Sequence, residues 1–204
     1  MPAVDEIAQL IRELCDAHAG VRERAGVAIF RRGCELAKSA TRAWFLDPEL
    51  ATYYVRDRAG IPELTVGVAV QPDTFEEIRT ACGAPPFADV PPDQDAREFE
   101  LEFPGGARID VLTTAKPGGN NGAIAKFLQK SGEAIQQVEI RVTDVTRLTE
   151  LLHARFGVSP IYPATRAGAD GTRVNFFLVP AGGNRNVLIE LVEYPRGDTH
   201  ATVK

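Results

Sequence analysis

The stretch AIQQVEIRVTDVTRLTELLHARFG, residues 134–157, changes its periodicity once, and that change decides the fold. Its first part alternates apolar and polar side chains with a period of two, which predicts a β-strand. Asp144 can then cap the start of a helix, and Gly157 can end it. Three more apolar segments follow. The order strand, helix and three strands is therefore predicted for residues 134–195.

The same order occurs earlier in the chain. ELTVGVAV, residues 63–70, predicts a strand, and Pro72 opens a helical stretch directly after it. EFELEF at 98–103 alternates apolar and acidic side chains, and a Pro-Gly-Gly turn separates it from the strand ARIDVLTT. Two proline-rich turns precede EFELEF, and one strand, one helix and three further strands are expected over residues 61–114, which form a first copy of the unit. Such an internal repeat is the most informative large-scale feature of the sequence.

We therefore predict an α+β fold in which two tandem βαβββ units form one cupped mixed sheet, preceded by an N-terminal helical segment. Apolar residues at helical spacing place that segment in the first part of the chain, and the aromatic residues Trp44, Phe45, Tyr53 and Tyr54 are expected either in the core or as a lid. The predicted divisions are 1–58 helical, 61–114 first unit, 115–133 linker helix, 134–195 second unit and 196–204 tail.

Composition and charge exclude several classes of protein. The chain has 204 residues and a net charge of −5, which argues against a general nucleic-acid binder. Its apolar runs are too short for a membrane helix, and its acidic N-terminus is unlike a signal peptide. Three unpatterned cysteines favour neither a disulfide framework nor a zinc site, so we expect a bacterial-type cytoplasm. Nucleotide-binding glycine motifs and paired histidines are absent.

Three segments resemble the vicinal-oxygen-chelate superfamily, and methylmalonyl-CoA epimerase within it. They are IAKFLQKSGEAIQQVEIRV at 124–142, GTRVNFF at 171–177 and VLIELVE at 187–193. The likeness is good over 108–195 and weaker over 61–107, and the first 57 residues match nothing in that family. It implies a fold of paired βαβββ units and a small-molecule site on the concave face of the sheet.

The resemblance also implies a metal site, and this sequence departs from it. The family holds a divalent metal with His, Gln or Glu, His and Glu, and the matching positions here are Thr65, Asp110, Gln137 and Glu190. Both imidazoles are replaced, and a hydroxyl is a poor ligand for a transition metal. We therefore expect no metal cofactor. The remaining oxygen donors Asp110, Gln137 and Glu190 suit at best a weakly held hard cation such as Mg²⁺ or Ca²⁺.

The predicted strand faces place these polar groups together, opposite apolar neighbours that face the helices. These polar side chains either lie on a solvated face of the sheet without a function or line a cleft that binds a ligand. We assign catalytic proton transfer to Glu190, Asp110 and Glu139. We assign substrate binding to five other side chains, which are Thr65, Gln137, Arg141, Asn175 and Phe177.

Other positions keep two interpretations. Asp93 and Asp95 belong to a polar loop, or one of them is a catalytic carboxylate. For Glu98, Glu100 and Glu102 an exposed or ion-paired strand face is favoured over a cation site. Arg141 pairs with Glu139 or with a substrate carboxylate. The glycine-rich stretches 118–122 and 181–186 are predicted to form turns, with phosphate-binding loops as the alternative.

Two classes of function remain. The first is an enzyme of the isomerase, epimerase, cyclase or lyase type, which uses carboxylate acid–base chemistry. The second is a metal-free binding or resistance protein. The expected partner is a small molecule, with a carboxylate or a thioester as candidates. A homodimer is compatible with the resemblance, whereas a nucleic acid or a membrane is not expected.

Overall fold

The computed structural model describes residues 2–116, 122–181 and 186–195, with side chains from Glu6 onward. The glycine-rich stretches 118–122 and 181–186 lie largely outside those ranges, and the tail, residues 196–204, lies wholly outside them. The helices are α1 (Pro2–Glu13), α2 (Ala19–Leu46), α3 (Pro72–Ala81), α4 (Ala123–Ser131) and α5 (Val145–Phe156). The strands are β1 (Leu64–Ala69), β2 (Ala96–Phe103), β3 (Ala107–Thr114), β4 (Ala134–Arg141), β5 (Arg166–Ala167), β6 (Arg173–Pro180) and β7 (Asn186–Glu193).

The strands form one mixed sheet in the order β2-β3-β1-β4-β7-β6-β5, curled into a half-barrel. β1 pairs in parallel with β3, and β4 pairs in parallel with β7. The two units meet where β1 and β4 pair antiparallel at the centre of the sheet. The predicted α+β class and cupped mixed sheet are confirmed.

The first unit differs from the prediction by one strand. Residues 84–95 contain no strand and run as an extended loop with a single 3₁₀ turn, Pro92–Gln94. Pro85, Pro86, Pro91 and Pro92 lack the N–H that a ladder needs, which explains why this loop does not pair as an edge strand. Only the second unit has the full strand–helix–three-strand order, and its extra strand β5 has two residues.

Helices α1, α2, α3 and α5 cover the convex face of the sheet, whereas α4 packs on Ala69 and Leu112 of the opposite face. Val66, Val68, Ile109, Val138 and Ile189 point outward from the central strands and are fully buried there. The period-two pattern of the sequence predicts that these side chains share one face, because successive side chains of a strand point to opposite sides of the sheet. The predicted apolar face is thus the core of the protein.

The N-terminal segment is helical only as far as Leu46, followed by a 3₁₀ turn at Leu50–Thr52, and not through residue 58. Pro48 lies just past the end of α2, and the Asp47 carboxylate accepts hydrogen bonds from backbone N–H groups of the turn. Trp44 is buried and packs edge-on against Phe177 at 6.2 Å between ring centroids. Trp44 therefore belongs to the core and not to a lid.

Among the described residues, none of the helices combines the length and the apolar character that crossing a membrane requires.

Helix α2 lies directly on β1, and a glycine permits that contact. A Cβ built on Gly33 would lie 2.4 Å from Cγ2 of Val66. We expect Gly33→Ala to destabilise the protein by about 1–3 kcal/mol, because the gain in helix propensity is smaller than the cost of overpacking. Urea unfolding measures the change.

Gly20→Ala, on the same helix, is the control. A Cβ there meets only the Arg24 guanidinium at 3.6 Å, so its stability should change by less than about 0.5 kcal/mol. Equal effects of the two substitutions would show that α2 is not fixed on β1 by this contact.

Candidate active site

The concave face of the sheet encloses a cavity of about 930 Å³. Three acidic side chains from each unit line it, which are Glu98 and Glu100 on β2, Asp110 on β3, Glu139 on β4, Asp170 in the turn before β6 and Glu190 on β7. Of these, Asp110, Glu139 and Glu190 were predicted from the sequence, and the structure brings them together.

A hydrogen-bonded chain joins the central groups. The Gln137 amide donates from Nε2 to Glu139 Oε1 at 3.0 Å and to Glu190 Oε2 at 2.5 Å. The side chains of Asp110 and Glu139 are hydrogen-bonded to each other. Two carboxyl groups can share a hydrogen bond only if one keeps its proton, so this chain is built around at least one neutral acid.

Glycine at position 67 makes room for the chain. Gly67 lies opposite Gln137 across the β1–β4 pairing, and a Cβ there would come within 2.7 Å of Gln137 Cγ. The side chain of Gln137 therefore lies over the backbone of β1, from where its amide reaches both carboxylates.

Burial raises the pKa of every carboxyl in this chain, and repulsion by Glu139 raises it further for Asp110 and Glu190. The pKa of Asp110 lies well above its ordinary value because the group is desolvated and faces Glu139. The pKa of Glu190 is raised well above its ordinary value for the same two reasons. Desolvation raises the pKa of Glu139, and hydrogen bonds from Asp110 and Gln137 offset part of that rise. One proton is therefore shared between Asp110 and Glu139.

Glu98 is a member of the site that sequence reasoning missed. Burial raises its pKa from 4.5 to about 8, with smaller contributions from Glu139 and Asp170. The alternating EFELEF pattern places Glu98 on one face of β2, but it predicts an exposed or ion-paired face and not a cavity wall. The direction in which the sheet curls encloses this end of the stripe, whereas Glu102 stays exposed.

Two predicted substrate-binding residues lie on the wrong face. Asn175 and Phe177 share a face of β6 as expected, but it is the convex one, where both are buried. Phe176 pairs with Glu190 across the β6–β7 ladder and lines the cavity in their place. Neighbouring side chains of a strand point to opposite sides of the sheet, so an error of one residue in the assignment of the face moves the predicted pair from the cavity to the core.

Thr65 and Arg141 lie beside the cavity and not on its described lining. Thr65 is buried opposite Glu139 in the β1–β4 register. Arg141 donates to Glu63 Oε2 at 3.0 Å, and its guanidinium lies 4.5 Å from the centre of the Tyr194 ring. Within the protein, Arg141 therefore pairs with Glu63 and not with Glu139, the internal partner expected from the sequence. Arg141 orders the end of the site through Glu63.

The loop 84–95 closes the cavity from above by contacts with the second unit. The backbone of Asp89 donates to Asp170 Oδ1 at 2.8 Å, and Gln94 donates to the Ala167 carbonyl at 2.7 Å. Asp93 pairs with Arg166 at 2.5 Å, whereas Asp95 lines the cavity. The loop thus takes the place of the missing strand and forms a roof.

The donor set does not fit the metal that the fold family implies. Thr65 offers a hydroxyl, Gln137 turns its amide nitrogen toward two carboxylates, and Asp110 is engaged with Glu139. Within 2–116, 122–181 and 186–195, no three His, Cys, Asp or Glu side chains form a group that could hold a metal ion. Zinc, cobalt and nickel prefer imidazole or thiolate ligands, which this set lacks.

The raised pKa values predict how stability depends on pH. A carboxyl whose pKa is higher in the folded state stabilises the protein below its unfolded pKa, and this contribution is lost as pH rises through the folded pKa. For Glu98 the window runs from 4.5 to about 8. We expect the free energy of unfolding to fall between pH 5 and pH 8, and Glu98→Gln to make that fall smaller.

Urea unfolding at a series of pH values measures this slope. Glu102→Gln, an exposed position on the same strand, is the matched control and should keep the parent slope. A free energy of unfolding that rises from pH 5 to pH 8 would contradict the raised pKa values.

Comparisons with known proteins agree with the fold. No family model matches the chain, and no curated protein matches it. A crystal structure of methylmalonyl-CoA epimerase from Mycobacterium tuberculosis is 34% identical, with a TM-score of 0.52, over 64% of this chain and 86% of that one. A hypothetical protein from Bacillus halodurans is 25% identical, with a TM-score of 0.51, over 64% of this chain and 92% of its own.

A methylmalonyl-CoA epimerase in complex with methylmalonyl-CoA and NH4+ is 24% identical, with a TM-score of 0.50, over 65% of this chain and 93% of its own. At that identity the likeness shows the fold alone. The identity to the mycobacterial epimerase, over most of that protein, establishes the relationship. The chain belongs to the vicinal-oxygen-chelate superfamily and lies close to methylmalonyl-CoA epimerase within it.

Proposed function

We propose that this protein is a small-molecule enzyme of the isomerase or epimerase type, which moves a proton at a carbon next to a carbonyl without a transition metal. The similarity to epimerases of the same fold supports a small-molecule enzyme. The observation that carries the proposal is the buried carboxyl chain with its raised pKa values, because such groups can both hold and accept a proton near neutral pH.

The proposed acid and base lie on opposite flanks of the cup. Glu98 on β2 belongs to one flank and Glu190 on β7 to the other, with β3, β1 and β4 between them. One carboxylate takes the proton from carbon, and the electron pair of the broken C–H bond moves to the carbonyl oxygen to form an enolate. The other carboxyl then gives its proton to the opposite face of that carbon. A new C–H bond forms, and the two carboxyls have exchanged their protonation states.

The neutral acid in the chain supports this step. Asp110 and Glu139 share a hydrogen bond, so one of the two carboxyls keeps a proton, and a protonated carboxyl can donate a hydrogen bond to an enolate oxygen, which a carboxylate cannot. A cyclase or a lyase could begin with the same proton abstraction. Two carboxyls on opposite flanks are the specific requirement of inversion at carbon, which favours an isomerase.

We propose a thioester as the substrate class, because the similar proteins include methylmalonyl-CoA epimerases. Free thiols at Cys15, Cys34 and Cys82 agree with a reducing compartment, and we propose the cytoplasm.

A metal-free binding protein is the second candidate. Its support is the apolar side of the cavity, where Tyr162 and Phe176 form an edge-to-face pair at 6.0 Å beside Ile161. A binder would take up the same ligands without exchanging their protons, so one experiment separates the two functions.

We expect the protein to exchange the α-proton of a thioester for solvent deuterium. The probes are N-acetylcysteamine thioesters of propionate, 2-phenylpropionate and methylmalonate in deuterium oxide, followed by NMR. Glu190→Gln and Glu98→Gln should each lower the rate by about a hundredfold or more, because each removes one proton-transfer group.

Glu190→Gln keeps an oxygen that accepts the Gln137 amide, so it tests the ionisable group and not the shape. Glu23→Gln, an exposed position on α2, is the control and should keep the parent rate. Exchange at the buffer rate for all three probes would refute the enzyme proposal and leave the binding protein.

We expect the purified protein to carry no stoichiometric zinc, nickel or cobalt, since hydroxyl and amide groups stand where the family has imidazoles. Elemental analysis after purification without chelators measures the content. One tightly held transition metal per chain would contradict the metal-free part of the proposal.

A further inference from the structure

The first part of the roof loop, up to Ala88, is fixed to its own unit. The Phe87 ring stacks on the Phe75 ring of α3 at 6.0 Å between centroids, and the Arg79 guanidinium lies 4.1 Å from the centre of the Phe87 ring. The Ala88 N–H donates to the Glu98 carbonyl at 3.0 Å. Aromatic and cation–π contacts of this kind anchor the beginning of the loop on the first unit.

The rest of the roof loop, residues 89–94, is held by the second unit, and we call it the flap. The Asp89 N–H donates to Asp170 Oδ1 at 2.8 Å, and the Asp89 carbonyl accepts from the Asp170 N–H at 3.0 Å. Asp93 pairs with Arg166, and these two side chains are 66% and 34% exposed. Contacts at such exposure are weak, because water competes for the same groups. The flap is therefore attached less firmly than the anchor.

Backbone strain occurs at the ends of the roof loop and at its contact with the second unit. Among the described residues, three non-glycine residues have left-handed backbone angles: Ala84, Asp95 and Asp170, with φ of 54°, 50° and 51°. The first two begin and end the roof loop, and the third binds the flap. This conformation costs free energy for any residue with a Cβ, and such residues concentrate at ligand clamps and switch regions.

The flap is built to move as one piece. Pro91 and Pro92 have fixed φ angles, and the Gln94 N–H donates to the Pro91 carbonyl at 3.0 Å across the 3₁₀ turn. Asp95 follows directly, and its carbonyl accepts from the Ala115 N–H at 3.2 Å, which fixes the far end of the loop beside β3. A rotation of the flap therefore needs backbone changes only after Ala88 and at Asp95, as in a hinge.

The flap covers the gap between the two units. Pro92, Asp93 and Gln94 line the cavity on one side, and Arg166 and Tyr162 line it on the other. The Arg166 guanidinium lies 4.5 Å from the centre of the Tyr162 ring, so Arg166 stays in place when Asp93 leaves it. Separation of the flap from residues 166–170 thus widens the entrance to the cavity.

We propose that residues 89–94 are a lid, hinged at Asp95 and latched to residues 166–170, which opens the cavity to ligands while the Phe87 anchor stays in place. An enzyme and a binding protein would both need such an entrance, so the inference goes beyond the proposed function. It is tested without turnover, and its failure leaves the deuterium-exchange assay of the proposed function unaffected.

Amide hydrogen exchange of the full chain, followed by NMR, distinguishes a lid from a fixed roof. The N–H groups of Asp89 and Asp170 bond across the latch, whereas the Ala88 N–H bonds within the anchor. One opening exposes both latch amides, so we expect their protection factors to be similar and at least about tenfold below that of Ala88. A smaller difference from Ala88 would overturn the proposal, because the loop would then open only together with the unit beneath it.

Arg166→Gln tests the latch, since it removes the ion pair with Asp93 and keeps a long polar side chain. We expect it to lower the protection of the Asp89 and Asp170 amides by about twofold to fivefold, the range that an exposed ion pair contributes, and to leave Ala88 unchanged. Arg147→Gln is the matched control, because it removes an exposed ion pair with Glu150 on α5. Equal exchange in the two variants would refute the latch.

A thiol introduced by Ala96→Cys tests whether the flap guards the cavity. Ala96 lines the cavity directly after the hinge, and the substitution adds one atom. We expect methyl methanethiosulfonate to modify this thiol about twofold to fivefold faster when Arg166→Gln is added, because labelling follows the population of the open form, and at the parent rate with Arg147→Gln.

Peptide mapping separates the introduced thiol from the three native ones, which serve as internal references: Cys15, Cys34 and Cys82. An unchanged labelling rate together with faster amide exchange would show that the flap moves without opening the cavity, and it would refute the proposed entrance.

Discussion

The antiparallel pairing of β1 with β4 is the constraint on which the rest of the structure depends. Each of these strands has a parallel partner from its own unit, so the pairing fixes four central strands at once. Its register sets Gly67 opposite Gln137, while Gly67 pairs with Asp110 on the other side and Glu139 pairs with Glu190. Side chains far apart in the sequence therefore meet on one face.

Bringing several carboxyl side chains together on one face is unfavourable because their charges repel each other. The protein compensates for this repulsion in two ways. Burial of several carboxyls raises their pKa values, so protons are kept and repulsion is reduced. The Gln137 amide then donates to two of the oxygens. On the other face of the same strands a fully apolar core supplies the stability. A site that costs stability while the sheet behind it is well packed is typical of a functional constraint.

The two faces of the sheet are closed by different parts of the chain. Helix α2 lies on the convex side, where Gly33 lets it approach Val66. The roof loop 84–95 closes the concave side through Asp89, Gln94 and their partners in the second unit. Because the roof bridges both units, its contacts fix the cavity between the flanks that carry Glu98 and Glu190.

The sequence by itself determined the repeat, the apolar face of each strand and the acidic composition of the concave face. Period-two patterning is a local property, and it placed Asp110, Glu139 and Glu190 correctly because residues of one strand need no partner to define their face. The departure from the family's metal ligands at Thr65 and Gln137 was also visible in the sequence.

Only the tertiary structure decided which of those polar residues are enclosed. The curl of the sheet partly buries Glu98 and leaves Glu102 exposed, although both point to the same face of β2. The ladder with β7 set the register that turned Asn175 and Phe177 to the core, and the bulge in β4 brought Gln136 to the cavity. Curvature, register and bulges are set by pairing between distant strands, and a local sequence pattern carries no record of that pairing.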